Sequence, residues 1–192
     1  MSQPKPPGFR EALEALRDSL EEAGAPWMCL GGVAVIAQGV PRLTVDIDAT
    51  VLAEKAQLAA LLEACGRHEV RPRIDDALAF AREHHVLLLH HTPSDIPLDV
   101  SLAWLPFEEE AIRAAPEIDY AGVRIRVARP EDLIVYKMVA SRPRDIEDVD
   151  KLLLLHGDRI DLDRIRAVLR EFCQVLEDNE RLEILERMIE TL

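Results

Sequence analysis

Aromatic and basic residues are scarce in this sequence. Only 4% of its 192 residues are aromatic, and 23 lysines and arginines stand against 36 aspartates and glutamates, which gives a formal net charge of −13 at pH 7. Proteins that wrap nucleic acid usually present a basic surface and exposed aromatic rings on which bases stack. A contact with RNA must therefore be local, short or assisted by a partner, and the charge favours a small substrate or a basic partner.

Cysteine is also scarce, and no apolar run is long enough to span a bilayer. Cys29, Cys65 and Cys173 are far apart and odd in number, so they match neither a disulfide framework nor a metal-binding spacing. The proline-rich, polar start of the chain is unlike a signal peptide and predicts a flexible arm over residues 1–8. These absences predict reduced thiols, a cytoplasmic location and no membrane association.

The hydrophobic pattern predicts an α/β fold with a small mixed sheet flanked by helices. Hydrophobic residues make up 48% of the chain, which is enough for a substantial core at this length. Short apolar runs alternate with amphipathic helical patterns up to residue 128. One of these patterns predicts a helix over residues 54–65, with Gly66 as its cap. From Arg129 onward the pattern is helical. We therefore predict a first domain over residues 9–128 and a helical C-terminal region over residues 129–192.

A glycine pair follows the first short apolar run. Residues 27–30 predict a buried strand that stops at Gly31 and Gly32. Two glycines leave room for a phosphate to approach the main chain, and residues 33–38 can begin a helix whose free N–H groups point at that phosphate. The stretch is therefore a candidate phosphate-binding turn.

Two carboxylates follow one residue apart in an apolar run. Residues 45–52 are rich in β-branched side chains and predict a strand, so Asp46 and Asp48 project from one face. Neighbouring carboxylates repel each other unless a cation lies between them, and oxygen ligands without a Cys or His cluster favour Mg²⁺ over zinc. Thr44 falls on the same face and Arg42 just precedes it. The alternative is an acidic edge strand after a tight turn.

The Gly-Gly turn, the spacer over residues 33–45 and the Asp-x-Asp pair together resemble the signature of the DNA polymerase beta-type nucleotidyltransferase superfamily. The fuller pattern is similar to the minimal bacterial nucleotidyltransferases that include the abortive-infection type toxins, and its residues are Gly31, Gly32, Val33, Ala34, Gly39, Arg42, Thr44, Asp46, Ile47 and Asp48. One departure is Val33, where many members carry Ser or Thr, so a hydroxyl contact to phosphate is missing there.

The resemblance implies roles for three residues further along the chain. In the superfamily a third acidic residue on a later strand completes the metal site, and Asp99 matches it; the alternative is a strand-end aspartate facing water. Lys137 matches a lysine that contacts nucleotide phosphates in the toxins, although a lysine in an apolar run usually snorkels. Asp145, in an Arg-Asp pair at a helix start, either caps that helix or orients Lys137 or an arginine.

A basic cluster follows the signature. Arg67, Arg71 and Arg73 are candidate phosphate contacts, and the alternative is a solvated surface.

The resemblance implies a nucleotidyltransferase domain over residues 9–128 that moves a nucleoside monophosphate from an NTP to an acceptor and releases pyrophosphate. Asp46, Asp48 and Asp99 would hold two Mg²⁺ ions and carry the catalysis. The expected nucleotide-binding residues are Gly31, Gly32, Arg42, Thr44, Lys137 and Asp145.

The acceptor stays open among RNA, a protein and a small basic molecule such as an aminoglycoside. One implied role is the toxin of a toxin–antitoxin pair, with a protein partner. The alternative from another class is a catalytically silent relative that only binds nucleotide or a partner.

Overall fold

The protein has a mixed α/β fold in the computed structural model, which describes residues 8–191. Nine helices, one five-stranded sheet and one two-stranded sheet form from these residues, so the fold class predicted from the sequence is confirmed. All but the last residue of the predicted N-terminal arm, residues 1–8, lies outside the described part of the chain. Within that part, no helix combines the length and the apolar character that crossing a membrane requires.

The described residues cluster into two compact units. The first comprises residues 8–34 and 41–128, and the second comprises 35–40 and 129–191. Compactness does not test whether each unit folds alone, so the division into domains stays a prediction. In chain order, the elements up to residue 128 are α1 (Phe9–Glu22), β1 (Trp27–Cys29), α2 (Gly31–Ala37), β2 (Ile47–Val51), α3 (Leu58–Arg67), β3 (Val70–Pro72), α4 (Ala77–His84), β4 (Val86–His91), β5 (Ile96–Leu102), α5 (Pro106–Ala114), β6 (Glu117–Tyr120) and β7 (Val123–Arg126).

The large sheet of the first unit has the strand order β1-β2-β5-β4-β3. β2 and β5 are parallel, and the other neighbours are antiparallel. Along β4 and β5 the burial alternates, because successive side chains of a strand point to opposite faces. One face buries Leu87, Leu89, Leu98 and Val100 completely. α1 packs against β3, β4, β5 and α3, so the apolar side of the sheet is covered.

Three boundaries differ from the sequence-based prediction. The strand expected over residues 45–52 begins only at Ile47, so Asp46 precedes it. The helix expected over residues 54–65 begins at Leu58, because residues 54–57 form a turn closed by a bond from the Gln57 N–H to the Glu54 carbonyl. That helix continues through Gly66, which was expected to cap it.

A small hairpin extends the first unit. β6, which was not predicted from the sequence, pairs with β7. Its exposed charged residues alternate with less exposed apolar ones. Residues 121 and 122 turn the chain between the two strands, both with positive φ. β7 in turn lies beside β1, where Ala128 donates to the Cys29 carbonyl at 3.1 Å.

The second unit is helical. Its helices from residue 129 onward are α6 (Pro130–Ala140), α7 (Pro143–His156), α8 (Leu162–Leu176) and α9 (Glu180–Ile189). α6 packs against the three others, and its Asp132 is fully buried between Arg129 and Arg164, whose guanidinium nitrogens lie 2.9 and 2.8 Å from its carboxylate. Desolvating a carboxylate is costly unless it is paired, so the two arginines account for its burial.

Candidate active site

The parallel pairing of β2 with β5 brings two of the predicted acidic residues together. The register places Asp48 directly opposite Asp99, and both side chains are half-buried on the face that the core does not occupy. Neighbouring strands lie about 4.8 Å apart, so residues in register share one small region. The two carboxylates are 51 positions apart in the sequence, and the pairing of β2 with β5 brings them together.

The third acidic residue, Asp46, lies just before β2 in an extended segment. Along residues 41–46 the exposure alternates, with Arg42, Thr44 and Asp46 half-buried between exposed neighbours. The Thr44 hydroxyl donates to Asp46 Oδ1 at 2.9 Å. The negative charge of Asp46 also acts on Asp99, since it helps to raise the pKa of that carboxyl. Asp46 and Asp99 are thus in electrostatic reach of each other, and Asp48 lies opposite Asp99 in the sheet.

The glycine pair packs against this group. Gly31 has a φ of +55°, and a Cβ there would lie 2.9 Å from the Asp48 Cβ and overlap its carboxylate. A Cβ on Gly32 would lie 2.7 Å from the Thr44 Cβ. Side chains of the protein itself therefore fill the space that a Cβ would take at either glycine, which leaves only the N–H side of the turn for a phosphate. The glycines therefore allow the strand carboxylate and the threonine to approach the turn closely.

Arg73 joins the acidic group through an ion pair with Asp99. Of the three arginines in the basic cluster, Arg67 pairs with Glu22, and Arg71 donates to the Gly66 and Val70 carbonyls. From the sequence, all three were candidate phosphate contacts, with a solvated surface as the alternative. No signal in the sequence indicated that Arg73 meets Asp99, because the two lie 26 residues apart and join only through the sheet.

Asp99 holds its proton more tightly than an ordinary aspartate. Burial is the main cause of its raised pKa, and the Asp46 carboxylate adds to the rise, while Arg73 acts in the opposite direction. The Arg73 cation thus does not offset the two effects that raise this pKa.

The three carboxylates match the hard oxygen ligands that Mg²⁺ takes in proteins. Their backbone placement fits a shared cation, since Asp48 and Asp99 are in register. Their side chains have other partners in this structure, Thr44 for Asp46 and Arg73 for Asp99. Accordingly, within residues 8–191, no three His, Cys, Asp or Glu side chains converge into a ready metal site. A cation shared by all three acids would have to replace Arg73.

The other two predicted site residues lie in the second unit, within a buried ion cluster. Lys137 of α6 is 6% exposed, and its Nζ lies 3.2 Å from Asp145 and 2.7 Å from Asp148, both on α7. Asp148 was not predicted, although it lies three residues after Asp145 and therefore on the same helix face. The lysine does not snorkel to solvent; its charge is neutralised inside the unit.

Asp145 does not cap α7, contrary to one of the two expected roles. The helix begins at Pro143, with Arg142 as the preceding cap residue, so Asp145 lies in the first turn. Its carboxylate accepts from Lys137 and, at 2.7 Å, from Arg142. Burial alone would raise its pKa, but these two cations outweigh that effect and hold the pKa below its ordinary value.

A cavity of about 510 Å³ lies in the first unit away from the acidic residues. It is lined by residues that follow β2 and β5, including Leu52, Ala103 and the exposed Trp104. None of the predicted site residues lines it, so the cavity is not part of the acidic group.

Solved structures of other proteins share this fold. The antibiotic-resistance factor ANT(2'')-Ia is 22% identical, with a TM-score of 0.56 over 86% of this chain and 92% of that one. JHP933 from Helicobacter pylori is 16% identical, with a TM-score of 0.53 over 96% and 90%. An antigenic nucleotidyltransferase-like protein from Paracoccidioides brasiliensis is 14% identical, with a TM-score of 0.53 over 95% of both chains. The fold is therefore that of the nucleotidyltransferases.

Residues 14–191 match the model of the family described as nucleotidyl transferase AbiEii toxin, type IV TA system. The chain belongs to this family and is a nucleotidyltransferase. No curated protein matches it. The superfamily and the toxin-type relatives that the sequence motifs indicated are confirmed by this match.

Proposed function

We propose that the protein is a Mg²⁺-dependent nucleotidyltransferase whose reaction takes place at Asp46, Asp48 and Asp99. The observation that carries the proposal is the β2–β5 register, which sets Asp48 opposite Asp99 beside the glycine turn. When bound, Mg²⁺ would neutralise triphosphate charge and lower the pKa of the acceptor group. The half-buried carboxylates, which lie outside the core, are the groups that would hold it.

The other residues receive roles that follow from their surroundings. The first N–H groups of a helix have no carbonyl partner within that helix, so the amides of Gly31 and Gly32 are the proposed triphosphate contacts. Arg42 and Thr44 adjoin this turn, and Thr44 holds Asp46 in place. Asp99, with its raised pKa, is the proposed acceptor for the proton of the attacking group.

Lys137 remains the proposed phosphate contact of the second unit. Asp145 and Asp148 both bond its ammonium group, so the structure favours an orienting role for these carboxylates.

For the acceptor, we propose a small basic molecule, with RNA as the second candidate. The net charge of −13 attracts cationic acceptors and repels polyanions. One of the similar structures, ANT(2'')-Ia with 20% identity and a TM-score of 0.54, was solved in complex with adenylyl-2''-tobramycin. Membership of a toxin family leads us to propose, in addition, that the activity serves as the toxin of a toxin–antitoxin pair with a protein partner.

The enzymatic proposal is tested with each NTP labelled at the α-phosphate, Mg²⁺ and either total tRNA or a mixture of amino sugars. We expect label on an acceptor with the unmutated protein and a loss of at least about 100-fold in Asp46→Asn, because removing a metal ligand costs several kcal/mol of transition-state stabilisation. Asp75→Asn, an exposed aspartate of the same unit, is the charge-matched control and should retain activity.

The two arms of the assay separate the candidates. Label on amino sugars supports the small basic acceptor, and label on tRNA overturns it in favour of RNA. If the unmutated protein labels neither acceptor, the catalytically silent relative is favoured. If Asp46→Asn transfers as fast as Asp75→Asn, the proposed acidic site is wrong.

A further inference from the structure

We infer that Arg73 is a built-in counter-ion of the acidic site, which occupies Asp99 in the metal-free protein and must be displaced when a divalent cation binds there. The inference rests on the proposed metal role of the three acids and adds a competitor for the third one. Arg73 is therefore a positioning residue, because it would act on the cation only through Asp99.

The sheet fixes the position of Arg73. The residue immediately follows β3, and its backbone N–H donates to the Leu88 carbonyl at 2.9 Å. Leu88 is the direct partner of Asp99 in the β4–β5 register. The main chain therefore holds the arginine two strands away from the carboxylate that it binds, with β4 between them. Strand pairing therefore fixes the backbone position of Arg73.

The charges around Asp99 explain why a counter-ion is needed there. Asp48 lies in register on the neighbouring strand, and Asp46 acts on Asp99 electrostatically. Three carboxylates without a cation would repel one another at close range. Arg73 places a positive charge against one of these carboxylates, through its ion pair and hydrogen bond with Asp99.

The pair is suited to be exchanged. The side chains of Arg73 and Asp99 are 33% and 39% exposed, so water competes with the pair and weakens it. Pairs of this exposure contribute little to stability, unlike a fully buried pair. A divalent cation that binds two or three carboxylates at once can therefore replace a single guanidinium.

The neighbouring arginine provides a matched comparison. Arg71 lies on β3 two residues earlier, carries the same charge and donates to main-chain carbonyls of Gly66 and Val70 instead of a site carboxylate. A change at Arg71 alters the net charge of the region equally but leaves Asp99 paired. Any difference between changes at Arg71 and Arg73 thus reports the contact with Asp99.

The test is direct binding of Mn²⁺, a paramagnetic substitute for Mg²⁺, in the absence of nucleotide. Free Mn²⁺ is followed by electron paramagnetic resonance during titration of the unmutated protein and of Arg73→Gln, Arg71→Gln, Arg73→Lys and Asp46→Asn. We expect Arg73→Gln to bind Mn²⁺ about two- to fivefold more tightly than the unmutated protein, which corresponds to loss of the competing pair. Arg71→Gln and Arg73→Lys should bind as the unmutated protein does. Thermal melting shows which variants are folded.

The outcomes distinguish this inference from the proposed function. Equal Mn²⁺ affinity of Arg73→Gln and Arg71→Gln, with weaker binding in Asp46→Asn, overturns the counter-ion role and leaves the metal site standing. If neither the unmutated protein nor Arg73→Gln binds Mn²⁺, the metal role itself fails and the inference fails with it. If Arg73→Gln does not fold, an Arg73→Lys protein that binds Mn²⁺ more tightly than the unmutated one would overturn the inference as well.

Discussion

The two charged groups of this protein differ in how completely their charges are neutralised. In the first unit, Asp99 is half-buried, pairs with Arg73 and lies near Asp46 and Asp48, and its pKa is raised. In the second unit, Lys137 lies between two buried aspartates, one of which also binds Arg142, and the pKa of Asp145 is lowered. Burial opposes ionisation in both places, so the balance of partners decides the direction of each shift.

The difference predicts how strongly each group responds to the loss of one of its members. Removing one partner of a fully buried ion cluster leaves an uncompensated charge, which is strongly destabilising. Removing an acid from an over-acidic, half-exposed group relieves repulsion instead. Catalytic sites are commonly of the second kind, since their charges are arranged for an absent substrate or ion.

The sharpest way to break this comparison is Lys137→Met, which keeps the length of the side chain and removes the charge. We expect a loss of about 3–5 kcal/mol in the free energy of unfolding, because Asp145 and Asp148 stay buried without their shared cation. Urea unfolding followed by circular dichroism measures it. Lys151→Met on the same helix α7, where the partner Glu147 is exposed and 3.9 Å away, should change the value by less than about 0.5 kcal/mol. Equal losses in both variants would show that the buried cluster has no special role.

A second change tests whether the acidic group depends on the glycine turn. Gly31→Ala places a Cβ in the space of the Asp48 carboxylate at a positive φ, and we expect a loss of about 2–4 kcal/mol together with lower nucleotidyl transfer. Gly24→Ala has a similar φ of +65° with nothing within 4 Å, so it should cost only about 1 kcal/mol. Thermal melts of the two variants give the comparison. If the two alanine variants are equally stable and equally active, close packing of Asp48 on the turn is not required.

The smallest effects concern pH and sharpen the comparison between the two units. A lowered pKa means that the stabilisation by Asp145 is present above the ordinary value of 3.8 and is lost as the pH falls through the lower, folded-state value. A raised pKa means that the contribution of Asp99 is present below 3.8 and is lost as the pH rises through the folded-state value. At pH 7, we therefore expect Asp145→Asn to be less stable by about 2 kcal/mol and Asp99→Asn to be more stable by less than about 1 kcal/mol.

Melting temperatures between pH 7 and pH 3 separate the two windows. The deficit of Asp145→Asn should stay constant down to about pH 4 and shrink below it. As the pH falls, the stability advantage of Asp99→Asn over the unmutated protein should begin to decrease while the pH is still above 4. Deviations of the same sign in both variants at pH 7 would contradict the assignment of opposite shifts.

Local patterns in the sequence were sufficient for much of the fold. The glycines that end β1 and the short apolar runs of β4 and β5 predict their elements within a few residues, because strand alternation and turn residues act over short distances. β6 was missed because it has only four residues, so Ile118 and Tyr120 give the shortest alternation that can indicate a strand. Asp46 was placed in a strand that begins one residue later, which is within the usual uncertainty of an element boundary.

The partners within the candidate site were harder to predict than its members. A motif carries residue types at fixed spacing, so Gly31, Asp46 and Asp48 could be named from the sequence. The pairs that decide their electrostatics depend on strand register, as with Arg73 and Asp99, and no periodicity connects such positions. Asp148 is the exception, because its spacing from Asp145 on a helix was visible and was not used. The roles of all these residues in catalysis stay predictions.

One helix restricts how this protein can be divided. α2 begins in the first compact unit and continues into the second, to which residues 35–40 belong. A fragment cut after Ala128 would carry Val35 and Val40, both essentially buried in the whole chain, away from the residues with which they cluster. No single cleavage therefore yields both halves intact, and a split-protein version would need residues 35–40 supplied to the helical part as well.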